Sequence, residues 1–172
     1  MTTIKPVIVS GNASTFPNEL VMGVRVHFPT GNYNSYATIS PPFQIPAYAT
    51  SAIVEDAEKG NQFNGYGVIK NVGAIQEVNV WAYGLNYPMA LYVVLRDENE
   101  VKTKYFMGYL DYEGWAELNW TNPNYITDVR NRELARSPLY PRNNPSLTFD
   151  SFIIFRDAMQ EGGDFITYLQ GV

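Results

Sequence analysis

An all-β fold, an antiparallel β-sandwich, is the class this sequence predicts. Three observations predict it. Turn-forming clusters recur throughout, at SGN (10–12), PTGN (29–32), SPP (40–42), KGN (59–61), NYP (86–88), DEN (97–99), YEG (112–114), TNPN (121–124), RNNP (142–145) and EGG (161–163). The short runs between them alternate apolar and polar residues with a period of two. No segment carries a long 3.6-residue period, so helix is limited to one or two short pieces.

Taken in order, LVMGVRVHF places Leu20, Met22, Val24, Val26 and Phe28 on one face and Arg25 and His27 on the other. A short helix is expected around Ala49–Glu58. EVNVWAYG sets Val78, Val80 and Ala82 against Asn79, Trp81 and Tyr83. ALYVVLRD sets Leu91, Val93 and Leu95 against Tyr92, Val94 and Arg96. Residues 89–96 and 101–108 form a hairpin across Asp97–Glu100. Its tip is Asn99-Glu100 rather than the more usual Asn-Gly, which implies a longer turn. In WAELNW, Ala116, Leu118 and Trp120 share the core face. Trp115, Glu117 and Asn119 share the polar one, unless Gly114 makes a bulge that re-aims Trp115. A second short helix is expected within Ile126–Ala135, inside an irregular stretch, 121–146, of the kind that often carries function. SFIIFRD is apolar on both faces, as a central strand requires. Neither a repeat nor a linker interrupts the 172 residues, so a single domain over 1–172 is expected.

Composition excludes several functions. The net charge of −5 argues against nucleic acid, which demands clustered positive charge. The chain has no cysteine, hence no disulfide, thiolate metal site or Cys nucleophile. No apolar run approaches the ~20 residues that span a bilayer, so no membrane insertion is expected. The start, MTTIKPVIVS, lacks the apolar core of an export leader.

Catalytic chemistry is equally sparse. His27 is the single histidine, and no Gly-x-Ser-x-Gly elbow accompanies it. It reads as a solvent-facing or hydrogen-bonded strand residue. Glu77, Asp111, Glu113 and Glu117 could supply a glycosidase pair, but they fall at turns and exposed positions where solvated carboxylates are ordinary. Glu55-Asp56-Ala57-Glu58 reads as a charged helix face, and Asp97 with Asn99 matches only a fragment of a calcium loop. The expectation is a protein with no catalytic, cofactor or metal residues.

Two constellations remain. One is aromatic: Trp81, Tyr83, Tyr87, Tyr92, Tyr109, Tyr112, Trp115 and Trp120. Those on a polar face can stack on sugar, meet a protein, or lie under a flanking segment. The other is basic: Arg130, Arg132, Arg136 and Arg142, interleaved with Tyr140. Arg and Tyr are enriched at protein–protein hot spots.

The blocks GVRVHFP (23–29), PPFQIPAY (41–48), GVIKNVGAIQEVNVWAYGLNYPMALYVVLRD (67–97), MGYLDYEGWAELNWTNPNYITDVRNREL (107–134), LYPR (139–142) and FDSFIIFRDAMQEGGDFITYL (149–169) are specific when taken together. In this order the sequence resembles the spirochete flagellar filament outer layer (sheath) proteins, the FlaA family. The resemblance implies an exported, non-enzymatic structural protein that coats a flagellin core and influences filament stiffness and curvature. It implies core flagellins and other sheath proteins as partners, and the periplasm as location once a leader is removed or omitted. The central hairpin, the Gly-Trp pair and the late apolar strand also look like the jelly-roll sandwich of carbohydrate-binding modules. Residues Phe165–Leu169 stand where such modules often carry an acidic calcium-holding strand, which argues against that site. On this reading Arg130, Arg132, Arg136, Tyr140 and Arg142 belong to one protein contact, and Trp81, Tyr83, Trp115 and Tyr125 to another. Glycan contact through the aromatic face is the alternative.

Overall fold

The computed structural model describes residues 2–41, 62–63, 66–67, 75–97, 100–123 and 148–171. The strands are β1 (Thr2–Ile8), β2 (Leu20–Phe28), β3 (Ser35–Ile39), β4 (Gln62–Phe63), β5 (Tyr66–Gly67), β6 (Glu77–Leu85), β7 (Ala90–Arg96), β8 (Lys102–Tyr109), β9 (Glu113–Thr121), β10 (Thr148–Arg156) and β11 (Gly163–Gln170). Both helix expectations, 49–58 and 126–135, lie outside the described residues, and all regular structure within them is strand.

Two antiparallel sheets pack face to face. The five-stranded sheet runs β1-β2-β11-β6-β9 and the four-stranded sheet β3-β10-β7-β8. Setting aside β1 and the small β4–β5 pair, eight strands remain. Numbered along the chain, they lie 1-8-3-6 in one sheet and 2-7-4-5 in the other. That is the jelly-roll order, in which connections carry the chain back and forth between sheets.

The inward side chains alternate as the sequence predicts. Val24, Val26 and Phe28 of β2, Val80 and Ala82 of β6, and Leu91, Val93 and Leu95 of β7 are buried. Phe152 and Ile154 of β10 and Phe165 and Leu169 of β11 complete the layer. Each of these side chains larger than alanine contributes roughly 1.5–3 kcal/mol by leaving water. Trp120 joins this core and lies 4.5 Å from Tyr105, centroid to centroid.

One end of β2 departs from the pattern. Leu20 is 62% exposed, whereas Val21 on the outward face is only 3% exposed. Leu20 pairs with Ile8 at the edge of the wider sheet, and both stay in solvent. Val21 pairs with Val7 beneath the β1–β2 connection, which folds back over the outer face.

The four-stranded sheet departs twice more. Leu91 pairs with Gly108 but Tyr92 with Phe106, so Met107 is an extra residue in β8. Leu95 pairs with Phe149 but Val94 with Ser151, so Asp150 is extra in β10. Each bulge lets two residues three apart share a face. Phe149 and Phe152 both point inward, 5.0 Å apart; Phe106 and Tyr109 both point outward, 5.1 Å apart. The extra Asp150 accepts from Lys102 Nζ at 3.0 Å and lies 3.9 Å from Arg96 Nε, bridging the three strands. Gly114 makes no bulge: the β6–β9 register is continuous from Glu77↔Thr121 to Leu85↔Glu113. The residue has φ +95, which only glycine adopts freely, so it keeps the register where another residue would strain it.

The hairpin turn between β7 and β8 closes with Glu100 N–H donating to Asp97 O at 3.1 Å and Asp97 N–H to Val101 O at 3.0 Å. Glu100 takes φ +64, the left-handed conformation glycine would fill without cost. Its carboxylate meets Arg96 Nη1 at 2.7 Å.

The inward row of β10 ends in an arginine. Arg156 follows Phe152 and Ile154 on the same face and is fully buried. Its Nε donates to Ser35 Oγ at 2.9 Å, and Nη2 to the carbonyls of Gly31 at 3.0 Å and Tyr33 at 2.8 Å. Nη1 donates to the Gln160 carbonyl, and the Tyr33 ring lies 5.8 Å from the guanidinium carbon. One cation thereby holds the β2–β3 and β10–β11 connections together through charge-assisted hydrogen bonds.

In the β8–β9 connection Tyr112 donates to the Ala82 carbonyl at 2.9 Å. Its ring crosses Gly84 so closely that a Cβ there would stand 2.3 Å from the Tyr112 carbonyl and 2.6 Å from the ring. Burial, helped by the neighbouring Asp111 charge, pushes the Tyr112 hydroxyl up to about 12.

Two outcomes follow. Arg156→Ala strips three carbonyls of their donors and is expected to lower unfolding free energy by about 3–5 kcal/mol, read from the urea midpoint. For Tyr112, the folded state keeps its proton where the unfolded chain loses it. Its contribution is therefore complete below pH 10 and falls away between about pH 10 and 12. Tyr112→Phe is expected to flatten that alkaline limb in a circular-dichroism pH titration.

Candidate functional site

The sandwich offers two outer faces. On the five-stranded sheet, strand parity places Trp81 and Tyr83 of β6 and Trp115 of β9 outward, with Tyr83 paired to Trp115 across the strands. Tyr83 meets Trp115 edge-on at 5.4 Å and Tyr168 of β11 at 5.8 Å. These rings are half-buried, and Phe16 covers the two tryptophans. Its ring stands edge-on to both Trp81, at 5.5 Å, and Trp115, at 5.1 Å.

Phe16 comes from the β1–β2 connection. Val9 N–H donates to Glu19 O at 2.9 Å and Asn18 N–H to Val9 O at 3.2 Å, extending the hairpin beyond its strands. Phe16 and Asn18 take φ +53 and +61. A left-handed Phe costs on the order of 1 kcal/mol or more, which the two ring contacts offset.

Along the same face, polar residues flank the aromatic centre. Toward one end Arg25 Nη2 donates to Asp164 Oδ2 at 2.5 Å and His27 Nδ1 lies 2.9 Å from Asp164 Oδ1. The Arg25 hydrogen bond, then that of His27, holds the Asp164 carboxyl below the usual carboxylate range. His27 is thus an exposed, hydrogen-bonded strand residue. On the β6–β9 side, Asn119 Nδ2 donates to Asn79 Oδ1 at 2.6 Å, and Glu77, Glu113 and Glu117 are exposed. Near Asp164 a cleft of about 430 Å³ opens between Tyr87–Met89 and the Met159–Phe165 turn. Among the described residues no three His, Asp or Glu side chains converge as a metal site requires. No helix there is long and apolar enough to cross a membrane.

The outer face of the four-stranded sheet carries a second aromatic group. Tyr92 of β7 stands edge-on to Phe106 of β8 at 5.5 Å and to Phe155 of β10 at 6.0 Å. Phe106 continues to Tyr109, and Tyr36 of β3 is the cross-strand partner of Phe155. The stripe therefore crosses all four strands. Tyr36 is 66% exposed, Tyr109 53% and Phe106 46%. Lys104 Nζ sits 5.3 Å from both the Tyr92 and Phe155 ring centres.

The sequence pattern of the family described as flagellar filament outer layer protein FlaA matches residues 1–172. The chain belongs to the FlaA family. It is 46% identical over 166 residues to the flagellar filament outer layer protein of Spirochaeta aurantia, covering 95% of this chain and 49% of that protein. With the protein of the same name from Treponema pallidum it shares 45% over 177 residues, covering 95% and 51%. With that of Borreliella burgdorferi it shares 34% over 168 residues, covering 97% and 47%. This FlaA-family chain thus spans about half the length of the curated relatives it matches. Among solved structures, the family 11 carbohydrate-binding module of cellulosomal cellulase Lic26A-Cel5E of Clostridium thermocellum aligns with a TM-score of 0.37 at 10% identity, covering 100% of this chain and 82% of that one.

Of the contact residues expected from sequence, the structure brings Trp81, Tyr83 and Trp115 together. Arg130, Arg132, Arg136, Tyr140, Arg142 and Tyr125 lie outside the described residues. The sequence does not mark Tyr36, Tyr92, Phe106, Tyr109 and Phe155 as a unit. A signal existed in β10: a strand apolar on both faces must leave one apolar face outside the core. The bulge at Met107, which aligns Phe106 with Tyr109, left no comparable mark.

Removing Phe16 tests the covering. Phe16→Ala is expected to lower stability by about 1–3 kcal/mol. It is also expected to red-shift tryptophan emission as Trp81 and Trp115 gain water. An unchanged emission maximum would show that Phe16 does not shield them.

Proposed function

We propose that this chain is a structural, non-enzymatic subunit of the flagellar filament sheath. On this reading it is one sandwich domain over residues 1–172 that coats a flagellin core and tunes the filament's stiffness and curvature. Its partners are core flagellins and other sheath proteins, and its place is the periplasm. The single observation that carries the reading is the FlaA match over the whole chain. The geometry supports it in a simple way. A sheath subunit touches neighbours on several sides, and here two broad sheet faces each present aromatic side chains of the kind protein contacts favour. Arg130, Arg132, Arg136 and Arg142, with Tyr140, are proposed as an additional, electrostatic contact. Trp81, Tyr83, Trp115 and Tyr125 are proposed as an aromatic one.

Co-sedimentation with flagellar filaments stripped of their sheath tests this. The purified chain is expected to pellet saturably at low salt and more weakly at high salt, as screened charge contacts do. Reversing the charge at Arg130 and Arg132 together is expected to weaken pelleting about tenfold, and free oligosaccharide to leave it unchanged. Absence of pelleting at any salt would remove direct coating of the core. Competition by oligosaccharide would favour a glycan contact.

A further inference from the structure

We propose that the two outer faces of the sandwich are complementary docking surfaces, so that the four-stranded face of one copy seats on the five-stranded face of a second copy of this chain. The four-stranded face is apolar and cationic. Its aromatic stripe spans four strands, with three large side chains around half exposed or more. Contiguous apolar surface of this kind marks an interaction site. Within the stripe stands Lys104, whose ammonium lies over two rings and meets no carboxylate among the described residues. Lys102 beside it is already paired with Asp150. A fitting partner therefore brings apolar rings together with an unpaired carboxylate.

The five-stranded face of the same molecule has that composition. Trp81, Tyr83 and Trp115 form a half-buried aromatic centre. Glu117 is the cross-strand neighbour of Trp81, and Glu113 and Glu77 stand at the two ends of the same strand pair. All three carboxylates are exposed, and none is in an ion pair among the described residues. A chain of net charge −5 repels its own kind unless opposite charges meet locally. Lys104 against Glu117 is such a meeting. Because the two surfaces lie on opposite sides of the sandwich, the contact is heterologous. It does not close on a two-fold axis, and repetition yields a ring or an open array according to the rotation between copies. A layer around a filament has that form. The inference rests on the sheath reading for its purpose alone; its physical content is self-association.

Sedimentation velocity of the purified chain across a concentration series, at low salt, tests it. The wild-type chain is expected to self-associate reversibly. Lys104→Glu and Glu117→Lys, both surface changes, are each expected to weaken association at least tenfold while leaving the circular-dichroism melting curve in place. An equimolar mixture of the two variants is expected to recover association, since each then meets the other's opposite charge. A wild-type chain that stays monomeric throughout would overturn the proposal. So would loss with Lys104→Glu but none with Glu117→Lys, the result of a contact between two four-stranded faces. A monomer that still pellets with stripped filaments would leave the sheath reading standing and this inference fallen.

Discussion

The strict alternation of side chains along a strand is the constraint on which this structure turns. In the β6–β9 pair it runs unbroken, so one strand face supplies Val80, Ala82 and Trp120 to the core while the other carries Trp81, Tyr83 and Trp115 outward. In the four-stranded sheet it is broken twice, at Met107 and Asp150, and both breaks matter. Without the first, Phe106 and Tyr109 would face opposite ways and the outer aromatic stripe would stop short. Without the second, Phe149 and Phe152 would not meet in the core. Asp150 also shows how a bulge is held: its carboxylate gathers Arg96 from the adjacent β7 and Lys102 from β8 beyond it.

Alternation also explains the buried Arg156. Any residue two beyond Ile154 must enter the same interior, and here that residue is charged. A lone buried cation is costly, and carbonyl oxygens with one hydroxyl replace the water it loses. The carbonyls lie in two connections between the sheets, Gly31 and Tyr33 in β2–β3 and Gln160 in β10–β11. The core can therefore fill with apolar side chains while the connections at its end are located by one polar centre. Ser35, at the start of β3, is part of that centre.

The sandwich was legible because its signals are local. Turn residues at short intervals and period-two runs placed β2, β6, β7, β9 and β10, and parity alone sent Trp120 inward and Trp115 outward. What parity could not supply was the neighbour across a face. Phe16 sits in a connection rich in turn residues, and nothing in TFPNEL announces that its ring will cover two tryptophans sixty and more positions later. Leu20 misled for a related reason. Its face is the core face, but it stands at the strand's end beside Ile8 and stays in solvent. The outer stripe was hidden by a bulge, because one extra residue inverts the phase of everything beyond it and leaves no compositional trace.

The two outer faces differ in what their own chain does with them. On the five-stranded side Phe16 seals the rings edge-on, so aromatic area is already partly withdrawn from water and the carboxylates beside it define the surface. On the four-stranded side the rings pack on one another and their rims stay open, with Lys104 resting on two of them. An ammonium in that position has exchanged part of its water for ring faces. A carboxylate arriving there faces a smaller remaining desolvation cost than at a fully hydrated lysine, and its attraction acts through less water. Fold and charge thus converge: the jelly-roll order places the sealed acidic face and the open cationic one on opposite sides of the same sandwich.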